Sequence, residues 1–131
     1  MSYQSDLLRG KVALVTGGGT GICRGLALAL ASHGCDVAIT SRREEHLLPT
    51  SQEIERVGVR AFAVPGDVRD PAMVDRTVEE TVKTLGHLDI LVNGAAGNFL
   101  CLAENLSPNG FGTVVDIHLK GTFHMCRSAF P

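Results

Sequence analysis

A chain of 131 residues has room for one domain with a real core, but not for two ordinary domains and a linker. Its 44% hydrophobic and 20% charged residues, with 15 Gly, fall within the globular range and exclude a disordered chain, a collagen and a disulfide-dense scaffold. Its 12 Lys+Arg against 14 Asp+Glu leave a formal net charge of -2, so no basic field draws nucleic acid or anionic lipid, and any phosphate binding must come from a local arrangement.

The first apolar, β-branched run is Val12 to Thr16, and it reads as a strand. Ile22 to His33 follows with helical period and Gly34 as its stop; Asp36 to Thr40 is the second strand. A second helix is expected from about Glu44 to Val57, with Pro49 delaying or kinking its start, and a third strand at Arg60 to Val64. Asp70-Pro71 supplies an N-cap and a first-turn proline for a helix that runs to Leu85 before Gly86, with Val74, Val78, Val82 and Leu85 as its apolar stripe. Leu88 to Asn93 is the fourth strand, Gly94 to Leu106 a loop, and Ser107-Pro108 opens a long helix towards Phe130. On that helix the period puts Phe111, Val114, Val115, Thr122, Met125 and Ala129 inward around His118, while Asn109, Asp116, Lys120 and Arg127 point away.

Strands alternating with helices over short connections force parallel pairing through right-handed crossovers. The expected fold class is therefore α/β, a Rossmann-like doubly wound parallel sheet with four strands and flanking helices. Such a sheet binds ligands beyond the carboxyl ends of its strands, where strand order reverses. Cys23, Cys35, Cys101 and Cys126 show no C-x-x-C spacing, so neither a metal site nor a disulfide framework is expected, and a reducing compartment fits. No run approaches the ~18 apolar residues of a membrane span, and Met1 to Leu8 lacks the basic start and apolar centre of a signal peptide. A soluble intracellular chain is the expectation.

Directly after the first strand stands Thr16-Gly17-Gly18-Gly19-Thr20-Gly21-Ile22. Glycines allow a tight turn and close backbone approach to a pyrophosphate, whose charge is stabilised by free N–H groups and the helix dipole. The literal G-x-G-x-x-G is absent, as is the G-K-[ST] of a nucleoside-triphosphate loop. The second strand ends in Thr40-Ser41-Arg42-Arg43 instead of the carboxylate that would hold a free ribose diol. A guanidinium there pairs with a 2′-phosphate, which favours NADP(H) over NAD(H).

These residues resemble the short-chain dehydrogenase/reductase family. Its T-G-x-x-x-G-x-G pattern is matched by Thr16, Gly17 and Gly21, with Cys23 where the last glycine belongs. Asp67-Val68 resembles the family's adenine-contacting aspartate segment, and Asn93-Gly94-Ala95-Ala96-Gly97 its N-x-A-G segment beneath the cofactor. Within the family, the run from Asn93 to Asn109 is similar to 2,4-dienoyl-CoA reductases of the peroxisomal type, chiefly in A-A-G-N-F and L-S-P-N.

The resemblance runs from Arg9 onward and corresponds to the N-terminal half of such a protein, so residues 1–131 are expected to be an NADP-binding Rossmann-like domain truncated before the second half of the sheet. It implies cofactor contacts from Gly17, Gly18, Gly19, Thr20, Gly21, Ile22, Arg42, Asp67, Val68, Asn93 and Ala95. It implies acyl-CoA contacts from Arg42, Arg69, Phe99, Ser107, Pro108 and Asn109, and catalytic roles for Asn98, on the thioester oxygen, and for His118. The implied reaction reduces a 2,4-dienoyl-CoA to an enoyl-CoA by hydride from NADPH, in the β-oxidation of unsaturated fatty acids. A homo-oligomer, dimer or tetramer, and a peroxisomal address are implied in the same way. Other short-chain reductases, such as those acting on 3-ketoacyl thioesters, and a non-catalytic nucleotide-binding or dimerisation module remain alternatives.

Three departures stand out. Cys23 puts a side chain where the family packs helix on strand without one; a small buried residue taken up by slight widening and a redox role are both open. His118 occupies a position where many members carry asparagine and the peroxisomal dienoyl-CoA type an aspartate; an acid–base role and a core histidine satisfied by one hydrogen bond are both open. The family's Y-x-x-x-K pair is absent, Tyr3 being the only tyrosine and preceding the first strand. With the fourth strand left as an open edge, the isolated chain is expected to self-associate and to be catalytically silent.

Overall fold

A computed structural model describes residues 3–98 and 100–131. Four strands, β1 (Val12–Thr16), β2 (Asp36–Ser41), β3 (Ala61–Pro65) and β4 (Ile90–Asn93), form one parallel sheet in the order β3-β2-β1-β4. The chain winds outward from β1 through β2 to β3, then returns to place β4 on the other side of β1. Strand order therefore reverses between β1 and β4, as expected of the doubly wound class.

Both faces of the sheet are covered, which is why its strands read as continuous apolar runs. Ala13, Val15, Val37 and Ile39 pack under α1 (Gly21–Ser32) and α2 (Glu44–Arg56) with Ala27, Leu47 and Ile54. Val12, Leu14 and Ala38 face the other way, onto Val74, Val78 and Leu85 of α3 (Pro71–Leu85) and onto Ile117 and Met125. The α3 start is as the sequence predicts: the Asp70 carboxylate accepts from Ala72 N at 3.0 Å and Met73 N at 3.3 Å, a cap that contributes about 1 kcal/mol.

Several boundaries move by a residue or two. The third strand opens at Ala61, because the Asp36 carboxylate takes Arg60 N at 2.9 Å and also pairs with its guanidinium. The fourth opens at Ile90, while Leu88 packs into the core below it. Pro49 neither delays nor ends α2, which starts at Glu44 and carries the proline inside. Buried Leu47, Thr50, Ser51 and Ile54 hold this helix on the sheet, and that packing outweighs the one ladder bond proline cannot make.

The long helix needs the largest correction. It is built as α4 (Pro108–Val115), a π-helical segment Asp116–Lys120, and α5 (Gly121–Ala129). Its buried positions are Ile117, Gly121 and Met125; Phe111, Thr122 and His118, expected on the inward face, are exposed. A π turn takes up one more residue than an α turn and so re-aims every side chain after it, which a 3.6-residue period cannot anticipate. Phe111 is exposed for a second reason: α5 packs on α3 and β4, whereas α4 packs chiefly on the π segment beyond the sheet.

Among the described residues, no helix is long and apolar enough to cross a membrane.

Candidate cleft at the switch point

A cleft of about 470 Å³ opens at the carboxyl ends of the strands, between the loops that follow β1, β2, β3 and β4. Its first wall is the glycine loop. Gly17 has φ +69, and a Cβ there would sit 2.8 Å from the Gly94 carbonyl oxygen, so only glycine lets the two loops approach this closely. Thr20, in extended backbone, is the N-cap of α1, but its side chain caps nothing. The first-turn N–H groups of α1 thus face the cleft beside Ile22, which is 84% exposed. From behind, Thr50 of α2 donates its hydroxyl to Gly19 O at 3.0 Å, tying the loop to the helix beneath it.

Thr16 joins the two halves of the switch point. Its buried hydroxyl accepts Gly94 N and Ala95 N, each at 3.0 Å, and donates to Val92 O at 3.4 Å. Those bonds pin the segment after β4 as the floor of the cleft, where Gly94, Ala95 and Ala96 line it. In the sequence, Thr16 stands out only as the first letter of a glycine motif. The signal was available, since a hydroxyl at the end of a central strand beside a reversal of strand order faces the first N–H groups after the strand that pairs there.

Cys23 is half-buried and lines the cleft. A Cβ on Gly94 would lie 2.0 Å from its sulfur, so the thiol fills the space directly above Gly94. Burial raises the Cys23 thiol above its ordinary pKa, which suppresses the thiolate needed for redox chemistry.

Arg42 and Arg43 follow β2 at the mouth of the cleft, both exposed, with Arg43 as the N-cap of α2. Thr40, behind them, is 3% exposed, and its hydroxyl has no hydrogen-bond partner among the described residues. Across from Arg42, Asp67 and Arg69 form a forked pair: Arg69 Nε and Nη2 donate to the carboxylate at 2.7 to 3.1 Å, and Arg69 N adds a bond of 2.9 Å. Arg69's side-chain hydrogen bond chiefly, with a further contribution from the Arg42 charge, holds the Asp67 carboxyl below its ordinary range. Arg69, expected to face an acyl-CoA, is therefore drawn to the wall expected to face adenine.

That lowered pKa has a direction. Asp67 contributes stability that is fully present above the unfolded-state value near 4 and is lost as pH falls through the lower folded value. The Asp67→Asn variant should therefore show a shallower loss of Tm than the parent as pH falls below about 4. The difference is expected to be small, because both side chains are partly exposed and screened. Equal slopes by circular dichroism would mean that the pair adds nothing to folding.

Asn98 is exposed, two residues beyond Ala96; Phe99 lies outside the described residues. The Asn93 amide donates to Cys126 Sγ at 3.4 Å, turned towards α5. Ser107 caps α4, its hydroxyl accepting Gly110 N at 2.9 Å, with Pro108 in the first turn and Asn109 exposed beside it. The His118 ring reaches back to Gly97, with Nε2 3.0 Å from the carbonyl oxygen and 3.2 Å from the amide nitrogen. Among the described residues, no group of His, Cys, Asp and Glu gathers as metal ligands.

A parallel sheet wound in both directions, with a glycine-walled cleft at its switch point, defines a Rossmann-type α/β protein. Residues 11–131 match the model of the short chain dehydrogenase family, and the chain belongs to that family. It is 47% identical over 127 residues to the peroxisomal 2,4-dienoyl-CoA reductase [(3E)-enoyl-CoA-producing] of Arabidopsis thaliana, covering 97% of this chain and 43% of that protein. Among solved structures, a dehydrogenase/reductase from Sinorhizobium meliloti superposes with a TM-score of 0.91 at 38% identity, over 96% of this chain and 50% of that one. The 3-ketoacyl-(acyl-carrier-protein) reductase from Brucella melitensis, complexed with NADH, gives 0.84 at 36%, over 92% and 48%. The chain thus spans about half or less of the length of the relatives it matches.

Proposed function

We propose that this chain is the NADP(H)-binding N-terminal part of a 2,4-dienoyl-CoA reductase, and that residues 1–131 form one Rossmann-like domain of it. The Arabidopsis relative carries that name, and the solved Brucella relative holds a nicotinamide dinucleotide. The cleft fits such a cofactor. Gly18, Gly19, Thr20, Gly21 and Ile22 would take the pyrophosphate on backbone N–H groups, with Gly17, whose own N–H is donated to Thr40 O at 2.8 Å, shaping the turn; Arg42 would take the 2′-phosphate, and Asp67 and Val68 the adenine. Ala95 would support the nicotinamide half from the floor, and Asn93, its amide turned to Cys126, would contribute only through its backbone. The buried Thr40 hydroxyl, close under Gly66 at the rim, is left without a partner among the described residues, a polar group that a bound ligand would satisfy.

NADPH, when bound, supplies the hydride for the diene. What this chain would add is orientation and charge stabilisation. The observation that carries the dienoyl reading is Asn98, exposed just past the lining residues Ala95 and Ala96. A neutral amide placed there donates to the thioester oxygen as negative charge builds on it during reduction. Arg42, Phe99 and the Ser107-Pro108-Asn109 turn would hold the acyl-CoA, whereas Arg69 would reach it only by releasing the Asp67 carboxylate. Ser107 would act through its backbone, since its hydroxyl is committed to the cap.

The Brucella likeness favours one second reading, a reductase of 3-ketoacyl thioesters. Turnover of dienoyl-CoA against ketoacyl-CoA by the protein extended past Pro131 decides between them. Reduction of dienoyl-CoA with NADPH is the expected result; reduction of the ketoacyl substrate alone would overturn the first reading. A homo-oligomer is proposed as well, supported by the exposed apolar side chains of Phe111, Leu119 and Phe123. A peroxisomal address rests on the name of the Arabidopsis relative.

A further inference from the structure

One contact across the switch point is set by the choice of residue and not by the course of the backbone: that of Cys23 on Gly94. Cys23 is the third residue of α1, half-buried in the cleft wall, and its sulfur lies where a side chain on Gly94 would begin. A Cβ on Gly94 would have the Thr16 carbonyl oxygen at 2.8 Å, the Cys23 Cβ at 3.4 Å and, closer than either, the Cys23 sulfur. Thr16 O is backbone and would stand there in any sequence. The sulfur is the part that this sequence supplies. The glycine that T-G-x-x-x-G-x-G has at position 23 is found here on the other side of the contact, at 94.

From this we propose that Cys23 is a positioning residue for the dinucleotide: its sulfur and Gly94 are a matched pair, bulk on one side against its lack on the other, that sets the separation between the phosphate-binding end of α1 and the cleft floor. The proposal rests on the dinucleotide reading for what that separation serves, but not for the contact itself. Cys23 moves with the first-turn N–H groups of α1, which would take the pyrophosphate. Gly94, Ala95 and Ala96 form the floor under the nicotinamide half. Covalent bonds fix the distance between those two parts of a dinucleotide, so walls already spaced to match bind it without being rearranged. The floor's other ties do not set this spacing. Thr16 accepts Gly94 N and Ala95 N from the end of β1, and Gly17 meets Gly94 O there, so these contacts draw the floor to the sheet and not away from α1. Burial favours the protonated thiol, which therefore adds bulk without charge.

A double-mutant cycle on the protein extended past Pro131 tests this, because Cys23→Ala removes the sulfur and keeps the Cβ, while Gly94→Ala adds a methyl group where the sulfur lies. Cys23→Ala is expected to lower the folding equilibrium, read by urea denaturation, about three- to tenfold. It should weaken NADPH and NADH binding alike by about the same factor, as a cleft no longer pre-set would, since β1 stands between the strand that ends at Arg42 and the strand that ends before Gly94. Gly94→Ala is expected to cost about tenfold to a hundredfold in the folding equilibrium, a methyl group being forced onto the sulfur and Thr16 O. In the double variant the new methyl group takes the sulfur's place, 3.4 Å from the Cβ of residue 23. Both readouts should then recover from the Gly94→Ala values, short of the parent by the contact with Thr16 O. A double variant whose losses equal the product of the single losses would overturn the proposal. So would a Cys23→Ala variant that binds both dinucleotides as the parent does, or that loses NADPH alone. Should Gly94→Ala fail to fold, a folded double variant is the expected result and an unfolded one the contrary result. If the parent takes up neither dinucleotide, the functional reading fails by itself, and the urea cycle still decides whether Cys23 and Gly94 are matched.

Discussion

Thr16→Val is expected to destabilise the protein by about 2 to 6 kcal/mol, two part-buried N–H groups losing their acceptor at about 1 to 3 kcal/mol each. The shapes of the two side chains are nearly the same, so no cavity term enters. What is lost is the hydroxyl that receives Gly94 N and Ala95 N. Thr16 is 1% exposed, so water cannot replace it without opening the sheet. Thr16→Ser keeps the hydroxyl and should recover most of the loss, apart from one methyl group. Urea denaturation of the three proteins checks this, and a valine variant as stable as the parent would show that the floor loop is held by packing instead. The same change should weaken dinucleotide binding, because Gly94, Ala95 and Ala96 line the cleft on the strength of those two bonds.

Arg42→Ala is the second large effect, and it acts on selectivity. A charge-assisted bond to a 2′-phosphate is worth about 1.5 to 3 kcal/mol, or roughly a tenfold to hundredfold change in affinity. Calorimetry should find NADPH binding weakened by that factor and NADH binding nearly unchanged. The geometry behind the expectation is that Arg42, at the cleft mouth, has no hydrogen-bond or ion-pair partner among the described residues, while the neighbouring guanidinium of Arg69 is already committed to Asp67. Equal loss for both cofactors would mean that Arg42 supports the loop and reads no phosphate. No preference for NADPH in the parent would remove the NADP(H) assignment altogether.

Much of the architecture was legible in the residues because local signals agreed with one another. Asp70-Pro71 marks the start of α3 by a cap that forms as written, and the apolar runs of β1 and β2 are buried on both faces as their composition requires. The glycine loop was legible for the same reason: Gly17 is needed where backbone meets backbone, and that need leaves a glycine in the sequence. Pro49 misled, since its local cost is about 3 kcal/mol, and only the packing of Leu47 and Ile54 on the sheet shows why the helix bears it. The long helix misled more deeply. Its period predicts one face throughout, but the π turn at Asp116–Lys120 re-aims His118 from an expected inward position to Gly97.

The sequence by itself determined the element order, the parallel pairing and the strand ends that carry the site, since each follows from periodicity, capping and glycine placement over a few neighbouring residues. Only the tertiary structure decided what meets across the cleft: Thr16 on the floor loop, the Cys23 sulfur above Gly94, Arg69 on Asp67 and His118 on Gly97. Apart from the Asp67–Arg69 pair, these contacts join residues from different elements. Hydrogen bonds and close packing of that kind depend on where separate helices and strands come to rest, and no local pattern in the chain records it.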